Sequence, residues 1–391
     1  MQKLGLNKDK QKKVNRGLIL KLIATQQCTS RIDLSRSTGL TKTAISQIVG
    51  SLIAQDYLIE TEKEYGEGVG RNPMGLNISP NAPCFAGLLI DRGRCEAVIC
   101  DIQLNIIKHV KIVREWASKD ELIACVYQMM DQILSGETRV SGIGVSSIGP
   151  VSVREGKIIH PLYFNDIQDI EIRRLMEERY HLPVAFDHDN QSAALAEQLY
   201  GNGRGYEDIL LVSISRGVGC GITVGGSRIH SYTGYAPEIG HISIDRNGLR
   251  CPCGNVGCLE MYVNSPVILE RFRRSTGLNL SYADFCSRDS EEVRVIMDEM
   301  IDNLAAGLVT TLNITNSQII LLGGDCGYWK DSYIRRLEEE INRRKFGNRE
   351  MWIPVKKNFF GEHTAVLGAA SNVINRMFHG ELIEGNQGTV F

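Results

Sequence analysis

Three cysteines and one histidine lie close together in the second half of this chain. The cysteines fall within the eight positions from Cys251 to Cys258, and His241 precedes the first of them by ten residues. Thiolates and an imidazole form a soft, closed four-ligand set that suits a tetrahedral Zn²⁺ ion. Gly254 and Gly257 allow so short a loop to fold back on one ion. The sequence therefore predicts one structural zinc ion per chain, with the ligands His241, Cys251, Cys253 and Cys258.

Two alternatives to a metal site have to be weighed. Free cysteine is among the most buried residue types, so the three thiols could simply pack inside a turn. A disulfide framework is a second alternative, but the eleven cysteines are scattered and odd in number. No signal peptide precedes them, which favours a reducing cytoplasm. The density of cysteine and glycine in one loop favours zinc over both alternatives.

The same stretch resembles the signature of a known protein family. E-x-G-H, followed ten residues later by C-x-C-G-x-x-G-C-x-E, is complete between Glu238 and Glu260. This pattern is similar to that of the ROK family, named for repressors, open reading frames and kinases. Weaker motifs extend the resemblance over residues 81–377. It implies an α/β body of two actin-like (ribonuclease H-like) lobes with the sugar-kinase fold, which enclose a sugar site and carry a structural zinc ion.

A second motif resembles the start of the active site in the family's sugar kinases. Asp187-His188-Asp189-Asn190 stands where the kinases have Glu-Asn-Asp-Ala. Asp189 matches their general base, a carboxylate that takes the proton of the attacked hydroxyl. His188 replaces the usual Asn, as in some sugar-responsive repressors of the family. Taken alone, Asp189 could be only the N-cap of the helix that follows. The resemblance implies a sugar site formed by His188, Asp189, Glu238, His241 and Glu260.

The turns that hold ATP phosphates in such kinases are altered in this sequence. The kinases carry Asp-Gly-Gly-Thr after the first strand, whereas this chain has Asp91-Arg92-Gly93-Arg94. In the second Gly-rich loop, from Ser215 to Gly221, Arg216 replaces a threonine. Phosphate cradles need small residues that let backbone N–H groups approach closely. The substitutions predict that the chain is not an enzyme. Because Asp189 is intact, an ATP-dependent sugar kinase with an appended DNA-binding domain remains the alternative.

Charge is unevenly distributed along the 391 residues. The net charge is −2, yet residues 1–55 hold ten lysines and arginines against two aspartates, which leaves −10 on the remainder. A basic head on an acidic body indicates a polyanionic partner at one end only. No apolar run reaches the roughly 18 residues needed to span a membrane. A linker at residues 81–83 predicts a DNA-binding domain of residues 1–80 and a sugar-sensing domain of residues 81–391.

The head has the pattern of a helix-turn-helix. In a first helix over residues 14–25, four apolar residues fall on one face: Leu18, Ile19, Leu22 and Ile23. Ser30 to Asp33 has the form of a capping box that opens a second helix, Gly39 supplies the turn, and Thr41 can cap a third helix. Four residues of the third helix are predicted to face inward: Ile45, Ile48, Val49 and Leu52.

The outward face of the third helix is polar and small enough to enter a major groove. Its predicted DNA contacts are Lys42, Thr43, Ser46 and Gln47. Strands over residues 57–63 and 74–78 would form the wing of a winged helix-turn-helix, with Arg71 at its Gly-rich tip placed to enter a minor groove. The alternative for the head is a helical protein-docking module with a loose hairpin.

Strands and helices alternate along the body, which indicates a mixed α/β domain. Strands are predicted over residues 85–90, 98–102, 106–113, 142–147, 184–186, 209–214, 221–224 and 319–322. Helices are predicted over residues 119–134, 191–200, 291–312, 332–344 and 364–377.

These features together predict a cytoplasmic transcriptional repressor of carbohydrate metabolism, such as that of xylose. Its expected partners are an inverted-repeat operator DNA, a sugar or sugar-phosphate effector, and a second copy of the chain in a homodimer or larger homo-oligomer. No membrane association is expected. A repressor controlled by a protein partner instead of a sugar is a third hypothesis.

Overall fold

The computed structural model describes residues 8–62, 74–161, 164–230, 235–347 and 350–382. The chain divides into two compact units. The first unit comprises Met1–Val145, Glu171–Phe186 and Ala369–Phe391. The second unit comprises Ser146–Ile170 and Asp187–Gly368. The head shares the first unit with the early strands of the body, and a domain boundary at residue 80 stays a prediction.

The secondary structure alternates as the sequence predicts. The α-helices are α1 (Lys8–Ala24), α2 (Arg31–Thr38), α3 (Lys42–Ala54), α4 (Lys119–Leu134), α5 (Ile172–Tyr180), α6 (Asp189–Tyr200), α7 (Glu260–Val263), α8 (Ser265–Thr276), α9 (Tyr282–Ser287), α10 (Glu291–Thr315), α11 (Asp331–Arg344) and α12 (Thr364–Phe378). The strands are β1 (Leu58–Glu62), β2 (Met74–Ile78), β3 (Cys84–Asp91), β4 (Arg94–Cys100), β5 (Ile106–Val113), β6 (Val140–Ser147), β7 (Val151–Ser152), β8 (Lys157–Ile158), β9 (Val184–His188), β10 (Ile209–Ile214), β11 (Val218–Val224), β12 (Ser227–Arg228), β13 (Ile319–Gly324) and β14 (Val355–Lys357).

Helices α2 and α3 begin at the predicted caps, whereas α1 begins at Lys8, six residues before its predicted start at residue 14. The Ser30 side chain accepts a hydrogen bond from the N–H of Asp33, and the Thr41 side chain caps α3 in the same way. Gly39 ends α2 in a left-handed conformation, with φ at 70°. The side-chain caps of Ser30 and Thr41 each stabilise a helix N-terminus by about 1 kcal/mol. The bounds of α2 and the start of α3 agree with these signals, and the winged helix-turn-helix stays a prediction.

The predicted apolar face of α1 is partly wrong. Ile19, Leu22 and Ile23 are buried, but Leu18 is 37% exposed and Leu20 is buried instead. Helical periodicity identifies a stripe of apolar residues, whereas the neighbours of the helix decide which edge of that stripe is covered.

Strands β1 and β2 form the antiparallel hairpin predicted for the wing. Leu58 lies opposite Ile78, and Glu62 opposite Met74. The connection over residues 63–73, which contains Arg71, lies outside the described residues. The predicted minor-groove contact of Arg71 stays a prediction.

Each unit contains a five-stranded sheet. The strand order is β5-β4-β3-β6-β9 in one sheet and β12-β11-β10-β13-β14 in the other. In the second sheet, β10 pairs antiparallel with β11 and parallel with β13. A continuous apolar core lies between that sheet and its helices, and it includes Phe272, Phe285 and Trp329. No helix among the described residues is long and apolar enough to cross a membrane.

Candidate metal centre and sugar site

The four residues predicted to bind zinc come together in the second unit. One ligand atom from each lies within 4.8 Å of the others. Sγ of Cys251 is 3.6 Å from Nδ1 of His241, and Sγ of Cys253 is 3.7 Å from Sγ of Cys258. Thiolates at about 2.3 Å from a tetrahedral zinc ion lie roughly 3.8 Å apart, so these separations fit one shared ion. The donor set and its spacing agree with a tetrahedral metal site.

The loop that carries the cysteines depends on two glycines. Gly254 and Gly257 have φ angles of 95° and 72°, in the left-handed region. A Cβ at Gly257 would lie 1.8 Å from the carbonyl oxygen of Asp245, so this position admits only glycine. Burial and the neighbouring thiols raise the pKa of Cys258 to about 12. A bound cation would lower that pKa and hold the residue as a thiolate.

Glu238 lies among the residues predicted to bind sugar. Its side chain is exposed, yet the surrounding protein desolvates the carboxylate and raises its pKa. The carboxylates of Asp189 and Glu260 raise the pKa further, while His188 and His241 oppose the change. An accessible carboxylate with these neighbours can accept hydrogen bonds from a ligand. The structure therefore brings the five predicted sugar residues together.

Val218 connects the two segments that carry Glu238 and Glu260. The backbone N–H of Val218 donates to Oε2 of Glu260 at 2.9 Å. Its carbonyl oxygen meets Gly240, where a Cβ would lie 2.4 Å away. Gly240 lies in the 3₁₀ turn Ile239–His241, which Glu238 precedes as its N-cap. The start of β11 thus fixes both carboxylate-bearing segments.

His188 and Asp189 stand at the junction between β9 and α6. His188 is the N-cap of α6, and its side chain accepts from the N–H of Asn190 at 3.3 Å. Asp189 is the first residue of the helix, so the alternative that it serves only as the N-cap does not hold. Oδ1 of Asp189 accepts from the backbone and side-chain amides of Asn190, at 2.6 and 2.9 Å. Its Oδ2 has no partner among the residues that the structure describes, and it is available to a ligand.

The loop at the end of β6 contacts His188, and this contact was not predicted. A Cβ at Gly149 would lie 2.8 Å from Nε2 of His188, so this glycine packs on the imidazole ring. The pair Gly149-Pro150 follows a strand of small residues, and that local sequence carries no strong signal for a site. The contact with His188 exists only in the folded chain.

An ion cluster beside Asp189 was also missed. Asp187 is buried at the end of β9, and its Oδ2 accepts from the guanidinium of Arg228 and from Nε2 of His230. The side-chain amide of Gln191 donates to the carbonyl oxygen of Ile229 at 2.6 Å. The segment Arg228 to His230 therefore forms hydrogen bonds with Asp187 and Gln191, on both sides of Asp189. Asp187 lies in the motif that contains Asp189, but no motif in the sequence includes Gln191, Arg228 or His230.

Glycine in the second Gly-rich loop allows β11 to pack closely against α6. A Cβ at Gly221 would lie 2.1 Å from the carbonyl oxygen of Asn190, because β11 packs closely on α6. Arg216, at the tip of the loop, is exposed. The glycines that resemble a phosphate loop thus serve the packing of the helix that carries Asp189.

The first turn differs from a phosphate cradle as predicted. Asp91 and Arg94 lie opposite each other in a hairpin of β3 and β4, so only Arg92 and Gly93 form its tip. The guanidinium of Arg94 is 3.3 Å from the carboxylate of Asp91. The backbone of this tight turn carries large charged side chains where a cradle would present small ones.

The predicted DNA-reading face of α3 is open. Ile45, Val49 and Leu52 are buried, and Ile48 is half-buried. The four residues predicted to contact DNA are exposed, namely Lys42, Thr43, Ser46 and Gln47.

Comparison with known proteins decides the family. A model of the ROK family matches residues 87–376 of this chain. The protein belongs to the ROK family. The xylose repressor of Bacillus subtilis (strain 168) is 26% identical over 372 residues, which cover 93% of this chain and 96% of that protein.

Two solved structures place this ROK protein by fold. One, described as a ROK family transcriptional regulator and homolog of the E. coli MLC protein, has a TM-score of 0.81 at 24% identity, and it covers 96% of this chain and 98% of its own. The other, a ROK hexokinase from Thermus thermophilus, has a TM-score of 0.63 at 22% identity, with 75% of this chain and 98% of its own covered. The predicted α/β fold of the sugar-kinase type is confirmed.

Proposed function

We propose that this ROK protein is a DNA-binding transcriptional repressor of carbohydrate-metabolism genes. In this proposal α3 reads the operator, and a sugar or sugar phosphate bound beside Glu238 changes the operator affinity. The observation that carries the proposal is the extent of the match to the xylose repressor. A match over 93% of the chain includes most of the 80-residue head as well as the body. Xylose is accordingly the first effector to test.

The carboxylates would recognise the hydroxyl groups of the sugar. Oδ2 of Asp189 and the carboxylate of Glu238 have no hydrogen-bond partner among the described residues, so both can accept from a ligand. Glu260 already accepts one bond from Val218 and keeps its other oxygen for a hydroxyl. His241 has Nδ1 toward Cys251, which leaves Nε2 for the sugar. His188 would complete the set beside Asp189.

A zinc ion would act as a structural clamp for this site. Its proposed ligands are His241, Cys251, Cys253 and Cys258, and the ion supplies no chemistry of its own in a closed four-ligand shell. Since His241 also faces the candidate sugar residues, metal binding would fix the orientation of its ring. Metal binding would also hold Glu238 and Glu260 in position, because they flank the ligands in the sequence.

Repression does not require catalysis. A ligand that couples to DNA binding by about 1–3 kcal/mol changes operator affinity roughly 5- to 150-fold. A homodimer of this chain in the cytoplasm would present two heads to an inverted repeat. The repressor name of the xylose relative is consistent with a role without enzymatic activity.

The experiment that tests the proposal joins a ligand screen to operator titration. Sugars and sugar phosphates are screened by thermal shift, because a ligand at about 100 times its dissociation constant adds roughly 2.7 kcal/mol of stability. Ligands that stabilise the protein are then titrated into its complex with DNA from upstream of neighbouring sugar genes. We expect at least one of them to shift DNA affinity. A protein that binds no such DNA, with or without sugar, would contradict the proposal.

The sugar kinase with an appended head is the second candidate, and the free Oδ2 of Asp189 favours it. A coupled ATPase assay over the same sugars separates the two functions. We expect no turnover above background, since the hairpin at Arg92 lacks a small phosphate cradle. Turnover of about 1 s⁻¹ or more, within the usual range of enzymes, would replace the repressor by the hybrid kinase.

A further inference from the structure

A cavity of about 500 Å³ lies at the β14 edge of the second sheet. Its lining comes from the start of α11, from the end of β14 and from the chain that follows β14. No residue of the candidate sugar site or of the two altered phosphate turns lines it. Small-molecule sites commonly have volumes of roughly 300–1,000 Å³. The cavity is therefore a separate candidate site, which the proposed function does not use.

Positive charge prevails in this cavity. Arg335, Lys356 and Lys357 line it together with a single carboxylate, that of Asp331, which gives a net charge of +2. The chain after residue 55 carries a net charge of −10, so the cavity is a basic site in an acidic body. A cleft lined by one sign of charge concentrates ligands of the opposite sign. The cavity is thus suited to an anion.

Two of the three bases are available to a ligand. Nζ of Lys357 donates to the carbonyl oxygen of Trp329 at 2.6 Å and lies 3.7 Å from the carboxylate of Asp331. Arg335 and Lys356 are exposed, and their charged groups have no hydrogen-bond or ion-pair partner among the residues that the structure describes. Other arginines of α11 do form ion pairs, namely Arg336, Arg343 and Arg344. An anion in the cavity would therefore meet two uncompensated cations.

An aromatic ring completes the lining. Phe359 is 61% exposed at the cavity. The ring of Phe360 packs edge-on against it, with the centroids 5.0 Å apart and the planes at 89°. That contact limits the motion of Phe359 while most of its ring stays open. An exposed aromatic ring can stack on a flat ring of a ligand, as it does on a nucleic-acid base.

A buried carboxyl group holds this lining in place. Glu197 of α6 is fully buried, and its Oε1 accepts from the backbone N–H of Phe359 at 2.6 Å. Its Oε2 accepts from the backbone N–H of Asn202 at 2.9 Å. The side-chain amide of Asn202 donates in turn to the carbonyl oxygen of Lys357, also at 2.9 Å. A buried polar network with satisfied partners is rigid, so the groups that face the cavity are held in a fixed arrangement.

We propose that this cavity is a second small-molecule site, which binds a small anion that carries a flat ring. Arg335 and Lys356 bind the anionic group, and Phe359 stacks on the ring. Nucleoside monophosphates and aromatic carboxylic acids share this chemistry. The inference goes beyond the proposed function and does not depend on it, because the cavity shares no residue with the candidate sugar site or with α3.

The first experiment measures the binding of matched probes to the full chain by isothermal titration calorimetry. The ring-bearing anions are the nucleoside monophosphates and cinnamate. The nucleosides and cinnamyl alcohol have the same rings without the charge, while inorganic phosphate and acetate have the charge without a ring. We expect at least one ring-bearing anion to bind roughly tenfold more tightly than its neutral and ringless counterparts, because both contacts contribute. The probe that binds shows whether the anionic group is a phosphate or a carboxylate.

Two results of this experiment would overturn the inference. One is the failure of every ring-bearing anion to bind at millimolar concentration. The other is a neutral or ringless counterpart that binds as tightly as the ring-bearing anion, since the cavity would then recognise only half of the proposed ligand.

Variants test where the ring-bearing anion binds. Arg335→Gln, Lys356→Gln and Phe359→Leu each remove one proposed contact at an exposed residue, so the fold should persist. Arg274→Gln and Phe346→Leu are the matched controls, because both residues are exposed and lie outside the cavity.

The expected losses follow from the type of contact removed. We expect Phe359→Leu to weaken binding roughly fivefold or more, as the loss of one stacking contact does. The loss of an exposed cation should weaken binding roughly two- to fivefold in Arg335→Gln and in Lys356→Gln. Both control variants should bind like the unmodified protein. Affinities in the three cavity variants equal to those in the controls would mean that the anion binds elsewhere, and the inference would be wrong.

Discussion

The side chain of Asn190 lies directly over the backbone of Gly219. A Cβ at Gly219 would lie 2.4 Å from Nδ2 of Asn190. The same Nδ2 donates to Oδ1 of Asp189 at 2.9 Å, which leaves Oδ2 open. A glycine that resembles part of a phosphate loop therefore serves to orient a carboxylate of the candidate sugar site.

This relationship predicts that Gly219→Ala weakens effector binding. The added methyl group must displace the Asn190 amide, and Asp189 then loses a charge-assisted hydrogen bond that fixes its orientation. We expect effector affinity to fall roughly tenfold, or about 1.4 kcal/mol, in isothermal titration calorimetry. Gly327→Ala in the same unit is the control, since a Cβ there meets nothing within 4 Å. Equal affinities for the two variants would show that Asn190 does not orient Asp189.

Asp189→Asn is expected to separate effector sensing from DNA binding. Asn is nearly isosteric, and His188 caps α6, so the helix should persist. A carboxylate can accept from two hydroxyls, while an amide offers one acceptor and an unwanted donor. Loss of a charge-assisted hydrogen bond costs about 1.5–3 kcal/mol, or roughly 10- to 150-fold in effector affinity.

The measurement for Asp189→Asn is operator binding as a function of effector concentration. Without effector, the variant should bind operator like the unmodified protein. The midpoint of the effector response should move to much higher concentration. An unchanged midpoint would falsify the role of Asp189 in sugar binding, and a loss of operator affinity without effector would assign it a structural role.

The metal site predicts about one zinc ion per chain in the purified protein. Cys253→Ser removes one of four ligands, so we expect the metal content to fall and the apparent melting temperature to drop with it. Cys125→Ser is the control, because Cys125 is buried in α4 and lies outside the cluster. Metal content is measured by mass spectrometry after mild chelation. An unmodified protein that holds no zinc yet still binds effector would contradict the proposed structural role of the metal.

Two exposed residues of α3 should act in different ways on DNA. Gln47→Ala should relax the base preference at one position, with a discrimination loss of about 1–3 kcal/mol. Lys42→Ala should weaken binding to every sequence and reduce the slope of log affinity against log salt by about 1. Competition binding with single-base variants of the operator, repeated at several salt concentrations, distinguishes them. Identical behaviour of the two variants would exclude direct base contact by Gln47.

Asp187 predicts a pH dependence of stability. Burial alone would raise its pKa, but the hydrogen bond from His230 and the positive charge of Arg228 outweigh burial and lower it. A lowered pKa means that the carboxylate stabilises the fold above its unfolded pKa of about 3.9, and that this contribution is lost as pH falls through the folded value. The unmodified protein should therefore lose stability at pH values below about 4.

The matching variant is Asp187→Asn, which removes the negative charge that pairs with Arg228 and His230. Breaking a buried ion pair costs about 3 kcal/mol, and we expect that loss at neutral pH. Urea unfolding at a series of pH values measures both quantities. The variant should also lose the part of the acid dependence that Asp187 supplies. A variant as stable as the unmodified protein at pH 7 would mean that Arg228 and His230 find other partners.

Much of this protein is determined locally by its sequence. The three cysteines of the candidate metal site lie in one short loop, where the glycines and the donor types favour a single arrangement. The caps at Ser30 and Thr41 act within one helical turn, so the starts of α2 and α3 could be predicted from the sequence. Helix α4 and strand β10 have the predicted bounds because apolar periodicity and flanking signals suffice for such elements.

Strand ends were harder to predict when a partner strand extended them. Strand β4 begins at Arg94, four residues before the predicted start, because its hairpin with β3 continues to Asp91. Strand β11 begins at Val218 and not at residue 221, since pairing with β10 holds the residues before it. Pairing partners, and not intrinsic propensity, set these ends.

Only the tertiary structure decided which residues distant in sequence contact one another. Asp187 meets Arg228 and His230 across more than forty residues of chain. Gly17 meets Phe378 at the opposite end of the sequence. A local pattern reports the conformation of a segment, but a contact between segments depends on how the whole chain packs. For this reason the sequence determined the Cys-rich loop and the caps of α2 and α3, while the folded chain decided what orients Asp189.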